Sequence, residues 1–227
     1  ADAATDDQLS TLRARSRDMR RNTPYASGAL NQNVTNVVGG GIKVKPEIDR
    51  EVLGLGDEQA DAWERRVQTI FRSWAASEGC DLTRTQDFYG LQGLALRSVL
   101  ESGDLLVIRR MKERQPPDDV LGLKLQLVEA DRVSNPQDRM DDDELTDGVE
   151  TDEDGVPVAY HVQNTHPGDA FRTGFGYPSR WTRVPAFGPE SNERVSFLLY
   201  ERKRPGQTRG VPYLAPVIEP LKQLDRY

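Results

Sequence analysis

The chain has 227 residues and a mass of 25.5 kDa, enough for one large or two small domains. With glycine counted and tyrosine left out, its apolar residues come to about 41%, under the roughly 45–50% of globular domains, so a folded chain that leans on neighbours is expected. The net charge of −7 sits largely in Asp138–Asp154, where ten carboxylates face Arg139 alone and carry −9; the remainder is about +2, a weak basic balance for a groove that grips phosphates.

Other exclusions follow from single features. Cys80 is the only cysteine, which rules out an intrachain disulfide framework and a cysteine-rich zinc site. No stretch approaches the roughly 18 consecutive apolar residues of a membrane span, and Ala1–Asp7 has neither the basic start nor the apolar centre of a signal peptide. A soluble, intracellular protein is expected.

In chain order, residues from about Asp6 to Arg21 carry Leu9, Leu12 and Met19 among arginines, without proline or glycine, which predicts an amphipathic helix. Asn22-Thr23-Pro24 should interrupt it, because the residue before proline is pushed out of the helical region. A second helix through Ala26–Val38 then meets Gly39-Gly40-Gly41. Three glycines can cradle a phosphate, but Ile42-Lys43-Val44-Lys45-Pro46 follows where a phosphate loop needs Lys-Ser/Thr, so a flexible turn into a strand is the better reading. Gly54-Leu55-Gly56 falls short of a dinucleotide fingerprint, since Gln59 stands where the third glycine belongs. Asp57 is placed as the N-cap of a helix whose Trp63, Val67, Ile70, Phe71 and Trp74 form one wide core face. Gly79 closes that helix, and Thr85 is expected to cap the next, through Leu91, Leu94, Ala95 and Val99 to Ser102-Gly103.

After Gly103 the period becomes strand-like. Leu105–Ile108 predicts one strand, and Leu123, Leu125 and Leu127 alternate with Lys124, Gln126 and Val128 in another. Asp152-Glu153-Asp154-Gly155 reads as a hairpin turn and Val156–Val162 as its outgoing strand, with Pro157 favouring an edge. Asn164 to Asn192, rich in glycine, proline and arginine, reads as an irregular excursion too long for an ordinary connection. Val195–Tyr200 is a last strand, and Pro216–Tyr227 enters a helix without a stop signal, as a fragment of a longer protein would. The expectation is therefore an α+β chain: residues 1–103 mainly helical, 104–211 β-rich and mostly antiparallel with the acidic loop 138–154, and 212–227 the start of a helix.

Catalytic chemistry finds little support. The acidic run does not fit a calcium loop: with Gly148 at position six Leu145 occupies a ligand position, and with Gly155 there the closing glutamate is replaced by His161. A solvated, peripheral loop, poorly ordered at its centre, is expected. His161 and His166 are the only histidines and need not share a face. Cys80 lies among Glu78 and Asp81, which disfavour a thiolate, and no Gly-x-Ser-x-Gly elbow is present. No catalytic residue, metal ligand or cofactor is assigned.

Several stretches form an ordered series. Arg13-Ala14-Arg15-Ser16-Arg17-Asp18 leads into Asn22-Thr23-Pro24-Tyr25-Ala26 and Val34-Thr35-Asn36-Val37-Val38-Gly39. Leu94–Ser98 before Gly103-Asp104, Leu125–Arg132 and Asp154–Val162 follow. The most specific is Arg204-Pro205-Gly206-Gln207-Thr208-Arg209-Gly210-Val211-Pro212-Tyr213-Leu214-Ala215-Pro216, then Leu224-Asp225. The series, from Arg13 to Tyr227, resembles lambda-type phage portal proteins.

The resemblance implies a ring of identical subunits, typically twelve, at one capsid vertex around a channel for double-stranded DNA. It implies contacts with the terminase, head-completion proteins and the major capsid protein, a virion location after assembly in the host cytoplasm, and neither membrane attachment nor catalysis. Family members continue into long channel helices, so this chain is expected to supply the α+β wing and neighbouring parts. Arg13, Arg15, Arg17, Arg202, Arg204 and Arg209 are candidate subunit contacts, pairing with carboxylates of adjacent copies; DNA-facing residues are not assigned. Two other classes stand beside this one: a metal-dependent nuclease using Asp141, Asp142, Asp143, Asp152 and Asp154, and a virion adaptor that binds protein only.

Overall fold

The computed structural model describes residues 3–116, 119–168 and 180–224. The helices and strands are α1 (Ala3–Asn22), α2 (Pro24–Val37), α3 (Arg50–Leu53), α4 (Asp57–Ala75), α5 (Phe88–Ser102), β1 (Asp104–Met111), β2 (Leu123–Glu129), β3 (Leu145–Thr146), β4 (Val149–Thr151), β5 (Pro157–Gln163), β6 (Trp181–Pro185), β7 (Ser196–Tyr200) and α6 (Ile218–Leu224). This is the α+β class expected, and the change from helix to strand falls at Gly103. Contacts divide the chain into two compact units that are not consecutive in sequence: Ala1–Asn33 with Ala95–Ile108 and Leu127–Tyr227, and Val34–Leu94 with Arg109–Gln126.

In the first unit the strands build a core from both sheets, one ordered β2-β1-β7 and the other β3-β4-β5-β6. β1 and β7 pair antiparallel from Asp104↔Tyr200 to Ile108↔Ser196, and β5 pairs β6 from Ala159↔Pro185 to Gln163↔Trp181. Alternation then sends Leu106, Ile108, Val128, Val149, Tyr160, Val162 and Val184 into one apolar cluster. A second cluster joins Met19 on α1 with Ala26 and Leu30 on α2 and Leu214 and Ile218 around α6. Pro24 opens α2 at the position where its missing N–H costs nothing, which explains the break after Asn22.

The second unit is centred on α4. Phe71, Trp74, Phe88 and Tyr89 form a chain of ring contacts with centroids 5.2–6.2 Å apart, and the Trp74 indole donates to the Leu123 carbonyl at 2.8 Å. The five-residue core face expected of α4 is only partly used: Trp74 is buried, whereas Trp63 and Ile70 are 47% and 38% exposed. Lys124 is buried as well, donating to the Gly79 carbonyl at 2.6 Å and to Asp119 at 2.5 Å. The alternating leucines of β2 therefore do not mark its buried side; Lys124 and Val128 do.

Other expectations are corrected. Ile42–Pro46 is extended but not a strand: the side-chain amide of Gln92 accepts from the Ile42 N–H at 2.6 Å and donates to its carbonyl at 3.1 Å, taking the place of a strand partner. The N-cap of α4 is Gly56; Asp57 is the first helical residue and accepts from Arg50 at 2.8 Å. Asp87, not Thr85, caps α5, its carboxylate accepting from the Gly90 N–H at 2.7 Å, while Thr85 is held by Asp81. Pro157 lies in an interior strand, tolerated because it is the first residue of β5 beside a bulge. The Asn164–Asn192 excursion contains β6; its residues 169–179 lie outside the described residues.

Candidate functional site

The densest polar arrangement in the first unit surrounds Asp104, the first residue of β1, which has no exposed surface. Its Oδ2 accepts from Arg209 Nε at 2.8 Å, from Arg13 Nη2 at 3.2 Å and from the Gly210 N–H at 2.9 Å, and its Oδ1 accepts from Arg209 Nη2 at 2.9 Å. A guanidinium has five N–H donors, and Arg209 places all of them. The remaining three go to the carbonyls of Ala130 at 2.8 Å, Val133 at 2.8 Å and Asp147 at 2.7 Å. One side chain thus ties the start of β1, the turn after β2 and the turn between β3 and β4 to the segment after β7.

Electrostatics follow this geometry. Burial works against the charge on Asp104, but the charges of Arg209 and Arg13 outweigh it and hold the carboxyl below the usual carboxylate range. Burial likewise works against Arg209, and Asp104 with Asp147 offsets it, raising its pKa. Arg13 is shifted down, first by burial and then by the neighbouring Arg209. The backbone is as tight as the charges: a Cβ on Gly210 would sit 1.9 Å from the Gly103 carbonyl oxygen, and one on Gly103, whose φ is +94°, 2.3 Å from that of Gly210.

The six arginines proposed from sequence separate into two groups. Arg13 and Arg209 are buried and engaged within the chain. Arg17 donates to the Ser102 hydroxyl at 3.0 Å and pairs with Asp131; its neighbour Arg20 pairs with Glu101 at 2.7 Å. Arg15, Arg202 and Arg204 are exposed. The turn bearing the last two is fixed at its base by buried Gln207, which accepts from the Lys203 and Arg204 N–H groups at 2.8 and 3.3 Å and donates to the Arg209 carbonyl at 2.7 Å.

The acidic segment has local structure in place of the expected poorly ordered centre. Asp142 Oδ1 accepts from the Glu144 and Leu145 N–H groups at 3.0 and 2.8 Å, and Asp142 pairs with Arg139. Asp141 accepts from the Asp147 N–H at 2.9 Å and from Asn135 at 2.7 Å. Asp152 closes the expected hairpin turn, accepting from the Asp154 and Val156 N–H groups at 3.1 and 2.8 Å. These carboxylates act as turn caps, and Leu145 and Val149 between them are buried. Among the described residues, no three His, Cys, Asp or Glu side chains are gathered to hold a metal ion. The histidines part company: His161 faces Glu150 at 3.1 Å, and His166 faces Glu129 at 3.3 Å and Asp131 at 3.5 Å. Cys80 is buried, and burial, then Asp81, pushes its thiol up to about 11.

Asp104 and Gln207 enter the sequence reading only within the family stretches, with no role of their own, and Asn135 is not singled out there. One signal was present for Asp104: a carboxylate opening an apolar strand has to be paired if that strand is buried.

With fold and charge arrangement in view, comparison with known proteins gives the class. The chain belongs to the lambda family of phage portal proteins, whose family model matches residues 1–227. It is 27% identical over 230 residues to portal protein B of Escherichia phage lambda, covering 99% of this chain and 41% of that protein. It is 27% identical over 234 residues to the portal protein of Escherichia phage N15, with 99% and 41% covered, and 27% identical over 220 residues to the probable portal protein of Halomonas phage phiHAP-1, with 96% and 39% covered. The chain therefore spans about two fifths of the length of these relatives.

Proposed function

We propose that this chain is part of a structural subunit of a viral portal: a ring of identical copies, twelve in number, at one capsid vertex. The ring is a conduit for double-stranded DNA and docks the terminase during packaging and head-completion proteins afterwards. The observation that carries the reading is the family match along the whole chain. The internal chemistry supports it, since the buried charges are spent on holding segments of the first unit together, as a load-carrying subunit requires. In this reading the chain has no catalytic role, and Arg15, Arg202 and Arg204, the exposed members of the arginine set, face carboxylates of adjacent subunits.

Electron microscopy and mass photometry of the full-length protein test the proposal: closed rings with a central channel are expected, and only monomers and dimers across conditions would refute it. Duplex DNA should bind weakly at physiological salt and without sequence preference, because each firm phosphate contact adds affinity through counterion release and would retard a moving duplex. The nuclease alternative predicts Mg²⁺-dependent plasmid cleavage; none is expected.

A further inference from the structure

Two surface features lack a role in the arrangement described above. The first is a ridge on α4. Trp63, Arg66 and Ile70 follow one another at intervals of three and four residues and so share a helix face. All three are exposed, with a large part of the Trp63 ring system in solvent. No acidic residue stands at the helical neighbour positions of Arg66, which are Ala62, Trp63, Thr69 and Ile70.

The second is a cavity of about 510 Å³ in the first unit, with Pro136 and Leu145 as its apolar lining and Glu144 among its carboxylates. The other charges around it are largely spoken for. Arg139 pairs with Asp142, and Glu150 is held by Arg183 at 2.7 Å and by His161 at 3.1 Å. Glu144 and the adjacent Asp143 are exposed and leave net negative charge at the rim.

We propose that the α4 ridge of one copy docks into this cavity on the next copy, Trp63 and Ile70 against Pro136 and Leu145 and Arg66 against Glu144 and Asp143. Tryptophan and arginine seated in a pocket are the side chains that dominate interface energetics. The occupant is a second copy of this chain because knob and hole match in both polarity and charge and are carried by the same polypeptide. Such dissimilar patches make a heterologous contact, the kind that closes a ring. The inference rests on the portal-ring reading and adds to it a specific interface.

The test uses the full-length protein. Arg66→Glu and Glu144→Arg should each lower the ring fraction at fixed concentration by about tenfold or more, the scale of an interface hot spot, and Trp63→Ala should do the same. Arg66→Glu combined with Glu144→Arg in one chain should recover assembly. Arg66→Cys with Glu144→Cys should give an oxidised ladder of linked subunits, to which buried Cys80 does not contribute. Rings that tolerate every reversal, a double variant no better than the singles, or a link formed only within one subunit would overturn the interface and leave the ring reading standing. Wild-type protein that forms no ring would overturn both.

Discussion

Replacing Asp104 by asparagine changes one oxygen to an amide and removes one charge, yet it should be among the most damaging conservative substitutions in the chain. The carboxylate accepts four hydrogen bonds, three of them from the guanidinium groups of Arg209 and Arg13. An asparagine keeps one acceptor and turns an N–H pair towards those donors. Two buried cations then lose Asp104 as a counter-charge, with Asp147 at 3.2 Å left to Arg209, and breaking a buried pair in this way costs about 3–5 kcal/mol, a large part of the roughly 5–15 kcal/mol of a typical domain. Replacing both Asp104 and Arg209 by leucine and methionine should not rescue stability. The carbonyls of Ala130, Val133 and Asp147 would each lose a donor, at about 1–3 kcal/mol for a buried unsatisfied group. Urea titration followed by circular dichroism measures the change, with Arg15→Gln on the exposed face as a control expected to lie within about 0.5 kcal/mol of wild type. An Asp104→Asn protein within about 1 kcal/mol of wild type, or an apolar double variant as stable as wild type, would refute the reasoning.

The depressed pKa of Asp104 also sets a sign for pH dependence. Its unfolded form takes up a proton near the ordinary carboxylate value of about 4 while the folded form does not, so its contribution is full above that pH and is lost as pH falls through the lower folded value; the urea midpoint should fall more steeply with acid for wild type than for Asp104→Asn. Asn135, buried beneath the acidic segment, accepts from the Gly148 N–H at 2.6 Å and donates to the Arg139 carbonyl and Asp141 at 2.8 and 2.7 Å. Asn135→Ala should cost about 2–3 kcal/mol, measured by thermal melting, while Asp143→Asn on the exposed rim should leave the melting temperature unchanged. Cys80, with its raised pKa and full burial, should react with a thiol reagent at pH 8 far more slowly than in urea; equal rates would show that its surroundings open readily.

Local pattern carried a good part of the fold, and for stated reasons. The apolar spacing of α1, the run Leu105–Ile108 and the Asp-rich turn ahead of β5 are all set within a few residues, so a short window is enough to see them. What was hidden depends on partners far along the chain. Ile42 is satisfied by a glutamine side chain fifty residues away, and β6 exists because β5 offers it a ladder, against its own proline and arginine content. The charged interior is the extreme case. Arg13 and Arg209 lie 91 and 105 residues from Asp104, and neither looks different in sequence from an exposed neighbour such as Arg15 or Arg204. Only the fold decides which arginine is buried in the chain's own interior and which stays at its surface.

That division bears on the conduit reading itself. A chain with arginine clusters at both ends suggests, by count alone, a strong hold on polyanions. Within the first unit, however, Arg13 and Arg209 neutralise buried Asp104, Arg17 pairs with Asp131, and Arg20 pairs with Glu101. The exposed cations of these clusters shrink to Arg15, Arg21, Arg202, Lys203 and Arg204, and Lys203 already has Glu201 at 3.3 Å. Each phosphate neutralised contributes to the salt-dependent affinity in proportion to the counterions released. Removing four arginines from that tally lowers the expected grip steeply while raising the rigidity of the unit that bears the others. If the proposed conduit role holds, a subunit strong against its neighbours and slippery towards its cargo gains on both counts from burying part of its positive charge.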